Sequence, residues 1–170
     1  SRGRSALHPS DPLAPIAPGG IGKEPVLTDM ALRKTPTKRK KQPTPTEVTG
    51  EEFARMAARI ADDNKAENIV VLDLRGLTSI ADFFVIATGA SDRQLRAIAD
   101  TIQAEARTFG QKPYGASGYE NGTWVLVDFV DVVVHVFGPS HRRYYDLELI
   151  WGAAPKVRWK RAAARTSARP

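Results

Sequence analysis

The segment 123–137 shows the clearest alternation of side-chain type in the chain. Its valines and aromatic residues favour extended structure, so it predicts two strands joined by a two-residue turn at Phe129-Val130. In that register Asp128 lies opposite Asp131. Because successive side chains of a strand point to opposite sides of the sheet, the hairpin has two faces of different composition.

One face of this hairpin, which we call the valine face, consists of Val125, Val127, Val132, Val134 and Val136. The other, the mixed face, consists of Trp124, Leu126, Asp128, Asp131, Val133, His135 and Phe137. The valine face is predicted to be core, because none of its side chains can bond to water. The mixed face combines apolar anchors with charged groups, which is the composition of a protein-binding surface. The alternative is a layer of helices that covers Trp124 and Phe137 and makes His135 a core histidine, and the residues leave both open.

Helical spacing of apolar residues predicts two amphipathic helices before the hairpin. Thr49-Gly-Glu-Glu52 has the pattern of a capping box and begins a helix that runs to about Asn64. Ser91-Asp-Arg-Gln94 is a second such pattern and begins a helix that ends before Gly110. The amides at this second helix start are also a candidate phosphate site, although simple capping by Ser91 is favoured.

Apolar runs predict strands over residues 69–74 and 83–88, and a short edge strand over 112–117. Residues 140–151 are predicted to form a last helix or helical turn. The order α-β-β-α-β-β-β-α predicts an α/β or α+β fold, with helices packed on a mixed sheet of about five strands.

Charge divides the chain into three parts. Residues 1–50 hold nine Lys/Arg and four Asp/Glu, residues 51–155 hold ten and fifteen, and residues 156–170 hold six and none. An acidic domain, predicted over 49–155, therefore lies between basic segments over 1–48 and 156–170. The leader holds eight of the twelve prolines, and both segments are predicted to be disordered. Both basic segments, with the run Lys38, Arg39, Lys40 and Lys41 in the leader, are predicted to bind nucleic acid such as ribosomal RNA, the alternative being a solubilising leader.

Motifs for catalysis are missing from the sequence. There is no cysteine, no Gly-x-Ser-x-Gly, no phosphate loop, no His-x-x-x-His pair and no apolar run long enough to span a membrane. Two-metal nucleotidyl transfer needs an Asp-x-Asp pair on a strand, whereas Asp128 and Asp131 straddle a turn. We expect a protein that is not an enzyme and that needs no cofactor or metal.

Six motifs occur in order between Glu51 and Trp151: Val71-Leu-Asp-Leu-Arg-Gly76, Ile80-Ala-Asp-Phe-Phe-Val-Ile-Ala-Thr-Gly89, Ser91-Asp-Arg-Gln94 with Ala97-Ile-Ala-Asp100, Trp124-Val-Leu-Val-Asp128, Asp131-Val-Val-Val-His-Val-Phe137, and Arg143-Tyr-Tyr-Asp-Leu-Glu148 followed by Trp151. Together they resemble the ribosomal silencing factor family, also called the Iojap-like or RsfS family. The family often has Gly at the position of Val130, and usually has Glu-Gly where this chain has Ser117-Gly118.

The resemblance implies a nucleotidyltransferase-like fold without the catalytic aspartates, in a cytoplasmic, ribosome-associated protein. It implies a translational repressor that binds the large ribosomal subunit through the ribosomal protein numbered fourteen and blocks joining of the small subunit when nutrients are scarce. Related organellar proteins act in large-subunit assembly, and several members are homodimers when free. The resemblance implies that Trp124, Asp128 and Phe129 face the partner, with His135 nearby. The mixed face adds Leu126 and Asp131 to the predicted partner-binding residues.

Overall fold

The computed structural model describes residues 48–161. This part of the chain forms one five-stranded mixed sheet with helices on both faces. The elements in chain order are α1 (Gly50–Asp63), β1 (Glu67–Asp73), β2 (Phe83–Thr88), α2 (Asp92–Thr108), β3 (Gly115–Ser117), β4 (Trp124–Asp128), β5 (Val132–Phe137), α3 (Pro139–Tyr145) and α4 (Leu147–Ile150). The predicted α+β architecture is confirmed, with the last predicted helix divided in two at Asp146, whose backbone is left-handed at φ 38°.

The sheet has the strand order β1-β2-β5-β4-β3. Strand β2 runs parallel to β5, and the other neighbouring strands are antiparallel. All six residues of β2 are buried, whereas β1 is exposed over its first residues and is less buried than its apolar composition predicts. The short strand β3 lies at one edge of this sheet, as predicted.

Both helix starts are capped by the predicted side chains. Thr49 and Glu52 form the reciprocal capping box of α1. At α2 the Ser91 hydroxyl accepts from the Gln94 amide, but the Gln94 side chain accepts from the amide of Ala90 and not from that of Ser91. The second capping box is therefore only half formed, because the side-chain amide of Gln94 also donates to the carbonyls of Asn64 and Lys65 at the end of α1.

The hairpin register differs from the predicted one by two residues. Asp128 lies opposite Val133, and not opposite Asp131 as predicted. The reason is that the Asp131 carbonyl accepts from the amides of Asp82 and Phe83, so this residue belongs to the junction with β2. A shift of two residues leaves every side chain on its predicted face.

Each face of the hairpin packs against a different pair of helices. The valine face is buried with Phe129 against the apolar sides of α1 and α2, which confirms that it is core. The mixed face packs against α3 and α4, which we call the cover. The helix-covered alternative is therefore the one that the structure adopts.

Residues 155–159 form a strap along the outer edge of β1. The Asp73 amide donates to the Pro155 carbonyl at 2.9 Å, and the Val157 amide donates to the Val71 carbonyl at 2.8 Å. Trp159 is buried in the core on the α1 side of the sheet. The prediction that the domain ends at residue 155, before a disordered tail, is therefore wrong for this segment, because its two apolar residues pack against the domain.

Candidate functional site

The mixed face is closed off by the chain's own cover. The indole of Trp124 is 1% exposed and contacts the rings of Phe137 and Tyr145, whose centroids are 4.8 and 4.6 Å away. Five of the six residues predicted to bind a partner, namely Trp124, Leu126, Asp128, Phe129 and His135, are buried in this structure, which places them in the core and not on its surface. Asp131 is the predicted site residue that remains exposed.

His135 lies at the centre of this aromatic layer and is fully buried. Its ring meets the Phe84 ring edge-on, with centroids 4.6 Å apart. Burial, with a smaller contribution from the nearby Arg142 cation, lowers the pKa of His135 to about 3, so the imidazole is neutral at physiological pH. A neutral histidine surrounded by rings has a structural role here.

The cover is held to the sheet by one buried arginine. Arg142 donates two hydrogen bonds to the Glu148 carboxylate, at 2.9 and 2.7 Å, and so links α3 to α4. It also donates to the Thr88 hydroxyl at 3.0 Å and to the Asn68 carbonyl at 2.8 Å, at the ends of β2 and β1. We call these four hydrogen bonds of Arg142 the latch. The latch was not predicted, because nothing in the spacing of these residues along the sequence indicates that they meet.

The hairpin turn is fixed by its own side chains. The Asp128 carboxylate accepts from the Val130 amide at 2.8 Å, and the Phe129 ring turns inward to contact Phe53 at a centroid distance of 4.7 Å. Val130 is left exposed with φ 75°, a conformation that is rare and strained for a β-branched residue. The turn therefore presents Val130 and Asp131 to solvent.

The same end of the sheet displays further exposed apolar residues. The loop between β1 and β2 carries Leu77, and the Tyr114 amide, just before β3, donates to the Asp128 carbonyl. Leu77, Tyr114 and Val130 are 47%, 73% and 43% exposed. Five strands at a spacing of about 4.8 Å make this end roughly 19 Å wide.

Charge at this end of the sheet is predominantly negative. We define the sheet-end surface as Leu77, Tyr114, Val130 and the charged residues around them, namely Glu51, Glu52, Arg55, Asp73, Arg75, Asp82 and Asp131. Arg55 and Arg75 are paired with Glu51, and Arg75 also with Asp73. The surface is thus acidic with three apolar side chains across it. Leu77 and Tyr114 were not predicted, because only the folded sheet brings them beside the turn.

The predicted alternative of a phosphate site at the start of α2 finds no support. The amides of Ala90, Arg93 and Gln94 are bonded to the side chains of Gln94, Asp92 and Ser91, respectively. The Asp92 carboxylate would also repel an anion there. Ser91 therefore acts as a helix cap.

Within residues 48–161, no three carboxylate or imidazole side chains come together in a way that could hold a metal ion, and no helix there is long and apolar enough to cross a membrane. The predicted nucleic-acid-binding residues Lys38, Arg39, Lys40 and Lys41 lie outside the described part of the chain.

The whole folded region matches a family of known proteins. The family model described as "Ribosomal silencing factor during starvation" matches residues 47–170. The chain belongs to the ribosomal silencing factor family. The resemblance found in the sequence motifs is thereby confirmed.

This chain matches individual members of the ribosomal silencing factor family over most of their length. The ribosomal silencing factor of Halalkalibacterium halodurans is 44% identical over 110 residues, which is 65% of this chain and 94% of that protein. The one from Bacillus subtilis is 46% identical over 101 residues, or 59% of this chain and 86% of that protein. A crystal structure of a Chromobacterium violaceum protein has a TM-score of 0.60 at 39% identity, covering 69% of this chain and 97% of that one.

Proposed function

We propose that this protein represses translation by binding the large ribosomal subunit through its ribosomal protein numbered fourteen and sterically blocking the small subunit. The observation that carries the proposal is the family match over residues 47–170. A steric mechanism needs only a stable domain that docks in one orientation, and it requires no reaction.

The sheet-end surface is the docking surface that we propose within this function. Its excess of carboxylates suits a basic ribosomal protein, and electrostatic complementarity increases the association rate and excludes wrong partners. Leu77, Tyr114 and Val130 would supply the apolar contacts within an interface of roughly 1,200–2,000 Å². Trp124, Leu126 and His135 are buried on the face that the cover packs against, and they do not contact the partner in the conformation described.

The test is the substitution Val130→Lys, which places a cation at the middle of the surface. Lysine is no more strained than a β-branched residue at positive φ, so the fold should tolerate it. Repulsion from a basic partner should weaken large-subunit binding at least about tenfold, equivalent to 1.4 kcal/mol. Co-sedimentation with purified large subunits measures this, and a subunit-joining assay should show that the variant no longer blocks association.

The matched control is Leu149→Lys on α4, where the replaced side chain is 78% exposed and belongs to the cover. It makes the same change of charge and polarity away from the sheet end, so it should bind like the parent. Loss of binding in Leu149→Lys, with Val130→Lys unaffected, would move docking to the cover. A parent chain that does not sediment with large subunits would refute the proposed function itself.

A further inference from the structure

The strap and the residues just after it carry an ordered row of cations. Val157 and Trp159 pack against the core on the α1 side, whereas Lys156 and Arg158 are exposed. After a bend, Lys160 lies with its Nζ 5.4 Å from the centroid of the Trp159 ring. This alternation of inward apolar and outward basic residues is that of an edge strand with one solvated side.

Backbone pairing holds this row in place. Lys156 forms a bridge with Leu72, and the two hydrogen bonds around that bridge involve Pro155 and Val157. Lys156 is thus in a non-hydrogen-bonded pair, and its N–H points away from β1. Successive outward side chains of an extended strand are about 6.6 Å apart, so the backbone that carries Lys156 and Arg158 is already ordered before binding, which lowers the entropy cost of binding.

The cations of this row form no ion pair with a carboxylate of residues 48–161. Within residues 48–161, neither Lys156, Arg158 nor Lys160 forms an ion pair within 4.0 Å. Asp62, at the end of α1, lies on the opposite side of the sheet from Lys156, because Lys156 shares the side of Leu72, which packs toward the cover. Asp62 and Glu67 line one groove with Arg158 and Lys160, and Asp62 and Asp63 line a second groove with Lys160, so acids lie near these two cations without forming an ion pair with them in the described residues.

We propose that Lys156, Arg158 and Lys160 bind the phosphate backbone of RNA. Contacts of this kind are independent of base sequence and draw their free energy from counterion release. The sequence continues from the strap with further arginines and no carboxylate up to residue 170, so the same polyanion would be followed beyond it. The inference goes beyond the proposed docking to a ribosomal protein, and it holds or fails independently of that docking.

Binding of the full chain to a fluorescein-labelled oligouridine, followed by fluorescence anisotropy over a series of KCl concentrations, tests the proposal. In the triple variant Lys156→Gln, Arg158→Gln, Lys160→Gln, affinity should fall at low salt. The slope of log K against log salt should also decrease by about 2, since each lost contact with a single strand removes about 0.7. The double variant Lys156→Gln, Arg158→Gln should show about two thirds of that decrease, and it leaves the contact of Lys160 with Trp159 intact.

The matched control removes three other exposed cations, in Arg93→Gln, Arg107→Gln, Lys112→Gln. It has the same net charge as the strap variant and should keep the parental slope. Equal slopes for the strap variant and the parent would overturn the proposal and leave the row as protection against edge-to-edge aggregation. Unchanged oligouridine binding together with lost binding to phosphatidylserine vesicles would assign the row to a membrane surface instead, which also overturns it.

Discussion

Three aromatic residues on the cover side of the sheet contain buried nitrogen atoms without a hydrogen-bond partner among residues 48–161. They are the two imidazole nitrogens of His135 and the indole nitrogens of Trp124 and Trp151. An unsatisfied buried polar group costs about 1–3 kcal/mol. These side chains nevertheless stabilise the fold through the packing of their rings.

The buried His135 makes the stability of the fold dependent on pH. The unfolded chain takes up a proton near pH 6.5, whereas the folded protein does so only near pH 3. Between these values the unfolded state binds more protons, so stability is fully present above pH 6.5 and is lost as the pH falls. From this group, the free energy of unfolding of the parent should fall by roughly 1.4 kcal/mol for each pH unit between about pH 6 and pH 3, as measured by urea denaturation.

The substitution His135→Phe tests this assignment. It should remove that part of the pH dependence and keep or raise stability at pH 7, because an apolar ring replaces two unsatisfied nitrogens. His141→Gln, which leaves the buried imidazole in place, is the control and should retain the parental acid profile. Identical profiles for the parent and His135→Phe would exclude the imidazole as the source of the acid sensitivity.

At the scale of elements, the cover depends on the Arg142 latch more than on its own helices. Helices of seven and four residues are too short to be stable in isolation. The latch ties both of them to the ends of β1 and β2 through charged hydrogen bonds. Losing the latch should therefore loosen the whole layer above the mixed face.

Arg142→Ala is expected to destabilise the fold by about 3 kcal/mol, the low end of the range for a broken buried pair, because Glu148 is partly exposed. Urea denaturation gives the total, and amide hydrogen exchange should show the largest loss of protection in α3 and α4. The neighbouring exposed arginine supplies the control: Arg143→Ala should change stability by no more than about 0.5 kcal/mol. Equal losses in the two variants would show that the latch contributes nothing specific.

The sequence predicts elements better than it predicts how they meet. Periodicity and caps located the helices and the two faces of the hairpin, because each is decided by residues close together in the chain. The register around Asp131 could not be predicted, since its carbonyl accepts from Asp82 and Phe83 in another strand. The composition of the mixed face likewise did not reveal that Tyr145 would cover Trp124, because burial depends on residues distant in sequence.

At the scale of the whole molecule, the basic composition of residues 156–170 concealed a structural segment. The Trp159 indole donates to the Ile69 carbonyl at 3.3 Å, and the Arg59 side chain donates to the Trp159 carbonyl at 2.9 Å. The strap therefore belongs to the acidic domain, although its charge is that of the tail. The folded unit therefore extends past the predicted end at residue 155 to at least Trp159.

Two truncated chains separate the structural role of the strap from the binding role of the basic segments. The chain 49–155 loses Trp159 and the outer hydrogen bonds of β1, so it should be less stable than 48–161 by about 3–5 kcal/mol, the usual cost of removing a large core aromatic residue. The chain 48–161 keeps the sheet-end surface and the row of strap cations but lacks the remaining basic residues. It should sediment with large ribosomal subunits and show a shallower dependence on KCl than the full chain, because fewer cations contact phosphates.

Equal stability of the two truncated chains would refute the structural role of the strap. Complete loss of sedimentation by a folded 48–161 would show instead that the basic segments alone attach the protein to the ribosome.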